Sequence, residues 1–418
     1  MTLIYFILIL GITVFIHELG HFLCAKKFGV YVYEFSIGMG PRLFKFKRKN
    51  DETDYCIRLF PIGGFVQMAG EEIEENSNIP KNLQLQSKKA YQRLIIMLAG
   101  VFMNFLLAIV LLFFLGLFNS VSFNNVNVTN SVVEGLNDGD KIVAINDHFV
   151  NNYDKLALEM TIASKNPFNM TVKDKNGNKK NVEITPVNVG SSGLIYGKDY
   201  GFSVSDLTVA SSNNTNIKEG FIIKKINGVD VTSYTGALEL LNKASDENVT
   251  ITFLDKENLI DVSITPTTKK DKSSGYSYGF YITGTQEKGF FAAIKYAFYK
   301  FFSTLEQMIF TIFYLITGKI SLSMLSGPVG IFNAVGVYAK YGFSNLVSLL
   351  CLICINVGFI NVLPLPAFDG GHVLFIIIEK IRGKKVDPKV ENTIHNIGFI
   401  LLMLLMVVVT YGDISRLF

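Results

Sequence analysis

Long runs of apolar residues dominate the pattern of this chain. Three of them are long enough to cross a lipid bilayer as helices: residues 3–25, 94–118 and 394–411. A fourth run, residues 346–363, is nearly as long but contains Asn356 and Asn361. We therefore predict a polytopic α-helical membrane protein with four transmembrane helices.

From residue 119 onward the pattern changes to short alternating segments bounded by turn residues, which is typical of β-strands. This part repeats itself, because residues 139–146 match residues 220–227 at an offset of about 81 residues. In each copy we expect an amphipathic helix next, over residues 153–164 and 234–245, followed by a hairpin. The sequence therefore predicts two small α+β modules inserted between membrane helices.

The composition agrees with a membrane protein that has a water-facing part. The chain has 418 residues, 49% of them hydrophobic, and a mean hydropathy of +0.34. Its net charge of +4 is spread over loops without a basic stripe, which excludes a nucleic-acid-binding protein. Lys and Arg are frequent in residues 26–93 and 380–389 and absent from residues 1–16. The positive-inside rule then places those two loops in the cytoplasm and residues 119–290 outside.

The sequence His17-Glu18-Leu19-Gly20-His21 lies inside the first apolar run. Side chains four residues apart share one face of a helix, so His17 and His21 can bind one metal ion while Glu18 lies beside a metal-bound water. An accidental string would leave two imidazoles and a carboxylate in lipid without partners, which is costly. We therefore predict a zinc peptidase site in the membrane or at its edge.

A catalytic zinc ion usually takes a third protein ligand, and Asp369 is the candidate. It follows the third predicted span at the cytoplasmic end, where the first span also brings its His pair. Residues 290–316 are apolar on one side but include three charged residues. Counting them as a span would put Asp369 on the wrong side of the membrane, so we expect an amphipathic helix at the membrane surface there.

The segment before Asp369 is a candidate substrate channel. Pro364 and Pro366 predict an extended backbone, which bilayers tolerate only along a protein or water cavity. Asn356 and Asn361 could present amides to a substrate backbone or to an oxyanion. They could equally join helices by hydrogen bonds alone.

A second candidate channel segment lies in the first cytoplasmic loop. Residues 61–68 alternate apolar and glycine positions, and include Gly63, Gly64 and Phe65. This pattern predicts a short β-hairpin that dips into the membrane. Because a transmembrane substrate has its peptide bonds locked in a helix, an edge strand here could hold the unwound substrate extended.

The repeat also carries a resemblance of its own. The pattern Gly-x-x-Ile-x-x-Ile-Asn-Gly-x-x-Val over residues 220–231 resembles PDZ domains, which bind an extended peptide beside a helix. The two modules could instead be inert spacers.

Taken together, these motifs resemble the site-2 protease family of intramembrane zinc metalloproteases over nearly the whole chain. The matching parts are the His17–His21 motif, residues 61–68 with Glu71 and Glu72, the tandem repeat, residues 325–331, and residues 361–371 with His372. Phe368 stands where the family usually has Leu, and Val101 where relatives commonly have Pro.

The resemblance implies specific roles for the candidate residues. The zinc ligands would be His17, His21 and Asp369, and Glu18 would be the general base. Asn356 and Asn361 would position the substrate, and a membrane-embedded hairpin would surround Gly63, Gly64 and Phe65. The expected cofactor is Zn²⁺.

The resemblance also implies an organisation and a function. We expect a membrane core from residues 1–118 and 287–418, with extracytoplasmic PDZ domains at 119–205 and 206–286. The protein would lie in the bacterial cytoplasmic membrane with its active site near the cytoplasmic side, and we expect a monomer. It would cut single-pass membrane proteins that another protease has already shortened, such as anti-sigma factors or signal-peptide remnants, while the PDZ domains control access.

Two other classes of function stay open on the residues alone. A catalytically silent PDZ scaffold could keep the metal ligands, but the intact Glu18 argues against it. A transporter could use intramembrane His, Asp and Asn as an ion path. Such carriers often have inverted repeats in their spans, whereas the repeat found here lies in the water-facing part.

Overall fold

The computed structural model describes residues 1–416 except residues 50, 72–78, 120, 130, 132, 164–165, 191–197, 200–201, 206, 213, 233, 245–247, 269–273, 278–280 and 322–324. Glu72 and the expected helix ends at residues 164 and 245 therefore lie outside the described residues. The chain forms two compact units, Ser122–Thr285 and the remainder, Met1–Val121 with Gln286–Phe418.

Nine α-helices are assigned within the described residues. They are α1 (Thr2–Lys27), α2 (Ala90–Phe118), α3 (Tyr153–Ala163), α4 (Tyr234–Lys243), α5 (Phe290–Ile316), α6 (Pro328–Lys340), α7 (Phe343–Val362), α8 (Asp369–Arg382) and α9 (Pro388–Ser415).

The strands fall into two long ones before α2 and many short ones between α2 and α5. They are β1 (Val32–Lys47), β2 (Asp54–Met68), β3 (Val121–Thr129), β4 (Lys141–Ile145), β5 (His148–Phe149), β6 (Phe168–Lys173), β7 (Lys179–Ile184), β8 (Val187–Gly190), β9 (Lys198–Asp199), β10 (Phe202–Ser205), β11 (Thr208–Ser212), β12 (Ile222–Ile226), β13 (Val229–Asp230), β14 (Val249–Asp255), β15 (Asn258–Ile264), β16 (Thr267–Thr268), β17 (Ser274–Ser277) and β18 (Tyr281–Glu287).

Four of the described helices, α1, α2, α7 and α9, are long and apolar enough to cross a membrane. They coincide with the four predicted apolar runs, so the prediction of a polytopic α-helical membrane protein is confirmed. Helix α5 is not one of the four. It packs along α2, where Ala293 lies against Gly116, and its position at the membrane surface stays a prediction.

The first two spans pack unusually closely. A Cβ atom added at Gly20 of α1 would clash with the backbone carbonyl of Ala99 in α2. Farther along the helices, Phe6, Ala108, Leu350 and other buried apolar side chains of α1, α2 and α7 form one core. Small residues at such crossings let helix backbones approach each other, which is how membrane helices gain packing energy without a hydrophobic driving force.

The prediction of a hairpin within residues 61–68 is wrong, because these residues form the end of the single strand β2, which belongs to a larger sheet. Glu34 lies opposite both Gln67 and Asp54, and residues 42–47 pair with residues 54–58. The two long strands therefore bend into four segments, in the order 42–47, 54–58, 32–37 and 64–68. Sequence reasoning expected two strands because the other pairings are not local in the chain. Within the described residues, segment 64–68 pairs on one side only and is an edge.

A buried carboxylate holds this sheet together. Glu34 accepts hydrogen bonds from Arg58 at 2.6 and 3.1 Å and from Arg42. Arg58 also donates to Ser36 Oγ, and its guanidinium lies over the Phe65 ring. Both Arg58 donors reach Oε1 of Glu34 and Arg42 reaches Oε2. Hydrogen bonds between charged groups are strong, so Glu34 fixes the position of the segment that carries Phe65.

Polar contacts join the C-terminal end of α9 to the start of α6. Asp413 near the end of α9 accepts a hydrogen bond from the backbone N–H of Gly330 at 2.7 Å. Arg416 binds Asp413 and donates to the carbonyl of Leu325. A carboxylate at a helix N-terminus satisfies free N–H groups and interacts favourably with the helix dipole. This contact gives a structural reason for the motif at residues 325–331.

The second unit contains two six-stranded sheets of the same design. One has the order β18-β3-β4-β6-β7 with β5 beside β4, and the other has the order β10-β11-β12-β14-β15 with β13 beside β12. By strand pairing, residues 202–205 belong to the second sheet and residues 281–287 to the first. These strands cross the boundaries expected from the sequence, which divide the modules at residue 206 and end the second at residue 286.

The internal repeat is visible in matching turns. Asn146 and Asn227 both have positive φ angles, of 46° and 50°. The side-chain oxygen of Asn146 accepts a hydrogen bond from the backbone N–H of Asn169 at 3.0 Å. That of Asn227 accepts one from the backbone N–H of Thr250 at 2.9 Å. Asn tolerates the left-handed conformation and bonds to local backbone, which is why it lies at both turns.

The close approach of α1 and α2 predicts the effect of one methyl group. Gly20→Ala should lower the free energy of unfolding by about 1–3 kcal/mol, because backbone atoms of α2 must move. Gly412→Ala in α9 is the matched control, since its added Cβ would have no atom within 4 Å. Thermal unfolding in detergent, followed by circular dichroism, should show a lower midpoint for the first variant only. Equal midpoints would contradict the packing described here.

Candidate metal centre

Two imidazoles and one carboxylate converge in the membrane core. His17 and His21 lie one turn apart on the buried face of α1, and Asp369 is the first residue of α8. The distance between His17 Nε2 and Asp369 Oδ2 is 3.1 Å, and that between His21 Nε2 and Asp369 Oδ2 is 3.4 Å. The two Nε2 atoms are 3.3 Å apart. The structure thus brings together the three residues that the sequence singled out as ligands.

A sharp turn of the chain between α7 and α8 places the Asp369 carboxylate beside the two imidazoles. Helix α7 ends at Val362, and the next residues cannot continue it because Pro364 and Pro366 lack a backbone N–H. Ala367 has a φ angle of +75°, which is uncommon for a residue with a side chain. A Cβ atom at Gly370 would clash with the carbonyl of Leu363, so only glycine allows the chain to turn back this closely.

Helix α2 provides hydrogen-bond partners for the Nδ1 atoms of both imidazoles. His21 Nδ1 donates to the carbonyl of Ile96 at 2.8 Å, which leaves the Nε2 lone pair free. His17 Nδ1 lies 3.4 Å from the side-chain amide of Asn104, whose Oδ1 has no partner. Turning that amide by 180° brings Oδ1 to the position where it accepts the Nδ1 proton. Asn104 is fully buried in a transmembrane helix, and that polarity was the signal from which its role could have been expected.

Glu18 faces a cavity of about 180 Å³ beside the three converging groups. Its wall consists of residues from the helices, the sheet and the following loop: His17, His21, Phe65, Val66, Met68, Glu71, Met97 and Asp369. The backbone of Val66 hydrogen-bonds to the Glu18 carboxylate, and a Cβ atom at Gly64 would lie 3.5 Å from Glu18 Cγ. The edge segment of the sheet therefore runs directly past Glu18.

Glu71 is the fifth titratable group that lines this cavity, and it lies outside the transmembrane helices. Burial raises the pKa of Glu71 to about 7, although the nearby charge of His372 opposes that shift. Its carboxylate accepts a hydrogen bond from the backbone N–H of Met68 at 3.3 Å. Glu71 is therefore held at the cavity by the backbone of the edge segment.

The other predicted residues lie in different surroundings. Phe65 lines the cavity and Gly64 lies against Glu18, whereas Gly63 packs against the Met39 side chain. Asn356 and Asn361 are half-buried in α7 and are not among the residues that line the cavity. Their proposed role in positioning a substrate therefore stays a prediction.

The three converging groups fit a zinc ion. Ligand atoms in a tetrahedral zinc site are about 3.3 Å apart, since each bond is about 2.0–2.1 Å long, and all three distances here are close to that value. Asp369 Oδ2 is buried without a hydrogen-bond donor, and a cation would satisfy it. Two His and one Asp leave a fourth position open, as in catalytic rather than structural sites.

Comparison with known proteins identifies the family. The profile of peptidase family M50 matches residues 5–405. The zinc metalloprotease RasP of Shouchella clausii is 30% identical over 100% of this chain and 99% of its own. This chain belongs to peptidase family M50.

Other M50 relatives match over the same extent. The regulator of sigma-W protease RasP of Bacillus subtilis is 31% identical, and the zinc metalloprotease RasP of Geobacillus kaustophilus is 32% identical; both matches cover 100% of this chain. The predictions of a site-2 protease family member, of a metalloprotease and of Zn²⁺ as the cofactor are thus confirmed. The M50 chain described here is a zinc metalloprotease of the membrane.

The geometry around the imidazoles predicts a strong effect of one methyl group in α2. A Cβ atom at Gly100 would clash with His21 Nε2 and would lie 2.7 Å from His17 Cε1. Gly100→Ala should therefore weaken zinc binding about 10–100-fold, the usual cost of disturbing the orientation of a metal ligand. Zinc content by mass spectrometry after dialysis against a weak chelator measures this. Gly336→Ala, whose Cβ meets Thr2 at an ordinary 3.4 Å, is the control and should keep its zinc.

Proposed function

We propose that this M50 protein hydrolyses peptide bonds within or near the transmembrane segments of single-pass membrane proteins. The observation that carries the proposal is the position of Glu18 beside His17, His21 and Asp369. Two of these ligands and Glu18 lie in α1, a helix with the length and composition of a membrane span. A substrate that reaches this cavity is a segment that lies at the same depth.

The proposed reaction divides the work among four residues. His17, His21 and Asp369 hold the zinc ion, which when bound makes a water molecule more acidic and a carbonyl more electrophilic. Glu18 takes a proton from the attacking water as its oxygen bonds to the scissile carbonyl carbon. Glu18 then donates that proton to the leaving amine as the C–N bond breaks.

The edge segment 64–68 is the proposed binding place for the unwound substrate. It pairs with segment 32–37 on one side, and it lines the cavity through Phe65 and Val66. An added strand would gain backbone hydrogen bonds in place of those lost when its helix unwinds. Asn356 and Asn361, from α7, are proposed to bind the substrate farther along its length.

The water-facing unit is proposed to control which substrates enter. We infer that its two sheets, one from residues 121–184 with 281–287 and the other from residues 202–264, are PDZ domains on the extracytoplasmic side of the bacterial cytoplasmic membrane. A relative is named regulator of sigma-W protease, which supports anti-sigma factors as substrates. Signal-peptide remnants are the second substrate class that we propose. Such substrates would first be shortened by another protease.

Cleavage of a shortened single-pass protein by the purified full-length enzyme tests this proposal. Glu18→Gln should lower kcat by about 10²–10⁴-fold and leave bound zinc unchanged, because it removes the base and no ligand. Asp369→Asn should lose both activity and zinc. The control is Glu257→Gln, at an exposed turn of the second sheet, which should match the wild type.

The same experiment separates the two classes of function. Cleavage inside the hydrophobic segment, abolished in both site variants, supports an intramembrane protease. A wild-type protein that holds one zinc ion but cuts none of a panel of such substrates would favour the PDZ scaffold.

The control of access makes a separate prediction about substrate size. The wild type should cut a shortened substrate much faster than the same protein with its extracytoplasmic domain intact. Phe253→Asp, in the fully buried core of the second sheet, should unfold that module and reduce the difference. Leu259→Asp, at an exposed position of the same sheet, should preserve it. Equal rates for both substrates in the wild type would contradict a size filter.

A further inference from the structure

Helix α9 touches the connection that carries Asp369, although it makes few other contacts. Only 6% of the residues in its most apolar stretch are buried. Yet a Cβ atom at Gly398 would clash with Pro366, so the helix backbone lies directly against the connection. One turn earlier, His395 Nδ1 accepts a hydrogen bond from the backbone N–H of Ala367 at 3.1 Å.

A second contact links α9 to the first turn of α8. The rings of His372 and His395 stack, with centroids 3.9 Å apart and an angle of 16° between their planes. His372 Nδ1 donates to Glu391 Oε1, also in α9, at 3.0 Å. Helix α9 therefore contacts the chain on both sides of Asp369, at Ala367 before it and at His372 after it.

The stacked histidines do not form a good metal site of their own. Ligand atoms of His372, Glu391 and His395 lie within 4.8 Å of one another. However, the nitrogen lone pairs of an imidazole lie in the plane of the ring, and one ion cannot lie in two parallel planes. The Nδ1 atom of His395 is also occupied by the Ala367 N–H. The cluster of His372, Glu391 and His395 therefore binds the backbone at Ala367 rather than a metal ion.

We propose that His395 is a positioning residue for the zinc ligand Asp369. A backbone N–H can only donate, so His395 Nδ1 acts as acceptor and fixes Ala367 in its left-handed conformation. Ala367 has a φ angle of +75°, which a residue with a Cβ rarely adopts without such support. Without the acceptor, the connection relaxes, and Asp369 leaves the place where it meets His17 and His21. The inference rests on the proposed ligand set.

Two substitutions of His395 test its hydrogen-bond acceptor and its stacked ring separately. His395→Phe keeps the ring that stacks on His372 and removes the acceptor. His395→Asn removes the ring but places a carbonyl oxygen near the position of Nδ1. We expect His395→Phe to weaken zinc binding about tenfold and His395→Asn to retain most of it, since loss of a group that orients a ligand typically costs 10–100-fold. Asn396→Phe, at the neighbouring exposed position, adds the same side chain and should have no effect.

A second-site change tests the link to backbone conformation. Glycine adopts positive φ readily, so Ala367→Gly should restore zinc affinity in the His395→Phe protein. It should change the affinity of the otherwise wild-type chain little. Competition with a chromogenic chelator gives the affinity, and the visible spectrum of the Co²⁺-substituted protein reports the ligand geometry without any turnover.

The outcomes distinguish this inference from the proposed function. If the wild type binds zinc and Asp369→Asn loses it, while His395→Phe binds with wild-type affinity and an unchanged Co²⁺ spectrum, the positioning role is wrong and the ligand set stands. If Asp369→Asn binds zinc as tightly as the wild type, the ligand set itself fails. Should His395→Phe fail to fold, the Asn variant decides: an affinity reduced as much as that of Gly100→Ala would contradict the acceptor role.

Discussion

Helices α1 and α2 approach each other so closely at Gly20 and Gly100 that neither position has room for a side chain. The imidazoles of His17 and His21 occupy the space above Gly100, and the backbone of α2 supplies the acceptor for His21. A buried polar group without a partner costs several kcal/mol in a membrane. The same helix crossing therefore provides both the space and the hydrogen bonds that allow two imidazoles to lie inside the protein with their Nε2 atoms free.

The third ligand depends on a different kind of constraint. A carboxylate at the start of α8 reaches the imidazoles only because the preceding chain turns sharply, with prolines that end α7 and a glycine that permits close backbone contact. This turn includes an alanine in an unfavourable conformation, so other groups must hold it in place. Helix α9 is the neighbour in contact with it. The metal centre thus depends on a helix that contributes no ligand.

The sequence predicted those features that arise from short-range periodicity. Apolar runs define the four spans, the i, i+4 spacing of His17 and His21 defines a shared helix face, and the repeated Asn turns define two modules. Features that depend on distant pairing were not predicted. The four-segment sheet requires residues 32–37 to lie between two parts of one later strand, and the strand at 281–287 returns to the first sheet of the second unit.

The roles of Asn104 and His395 illustrate the same limit within the site. Each is a polar residue in an apolar helix, which marks it as unusual, but its partner is more than 25 residues away in the chain and is reached only by folding. For Asn356 and Asn361 the reverse holds, because the motif predicted a role at the cavity and the structure has both half-buried in α7 outside its lining.

Under the proposed function, the edge segment beside Glu18 lowers the free-energy cost of unwinding the substrate helix. A helical substrate that unwinds in the bilayer exposes backbone N–H and C=O groups, each of which costs several kcal/mol without a partner. A free strand edge can replace a row of those bonds, and segment 64–68 is such an edge in direct contact with Glu18 through Val66. The position of the scissile bond is then set by register along this edge rather than by recognition of particular side chains. This arrangement predicts broad sequence tolerance, with selectivity governed by how easily a substrate helix unwinds and by whether it can reach the cavity.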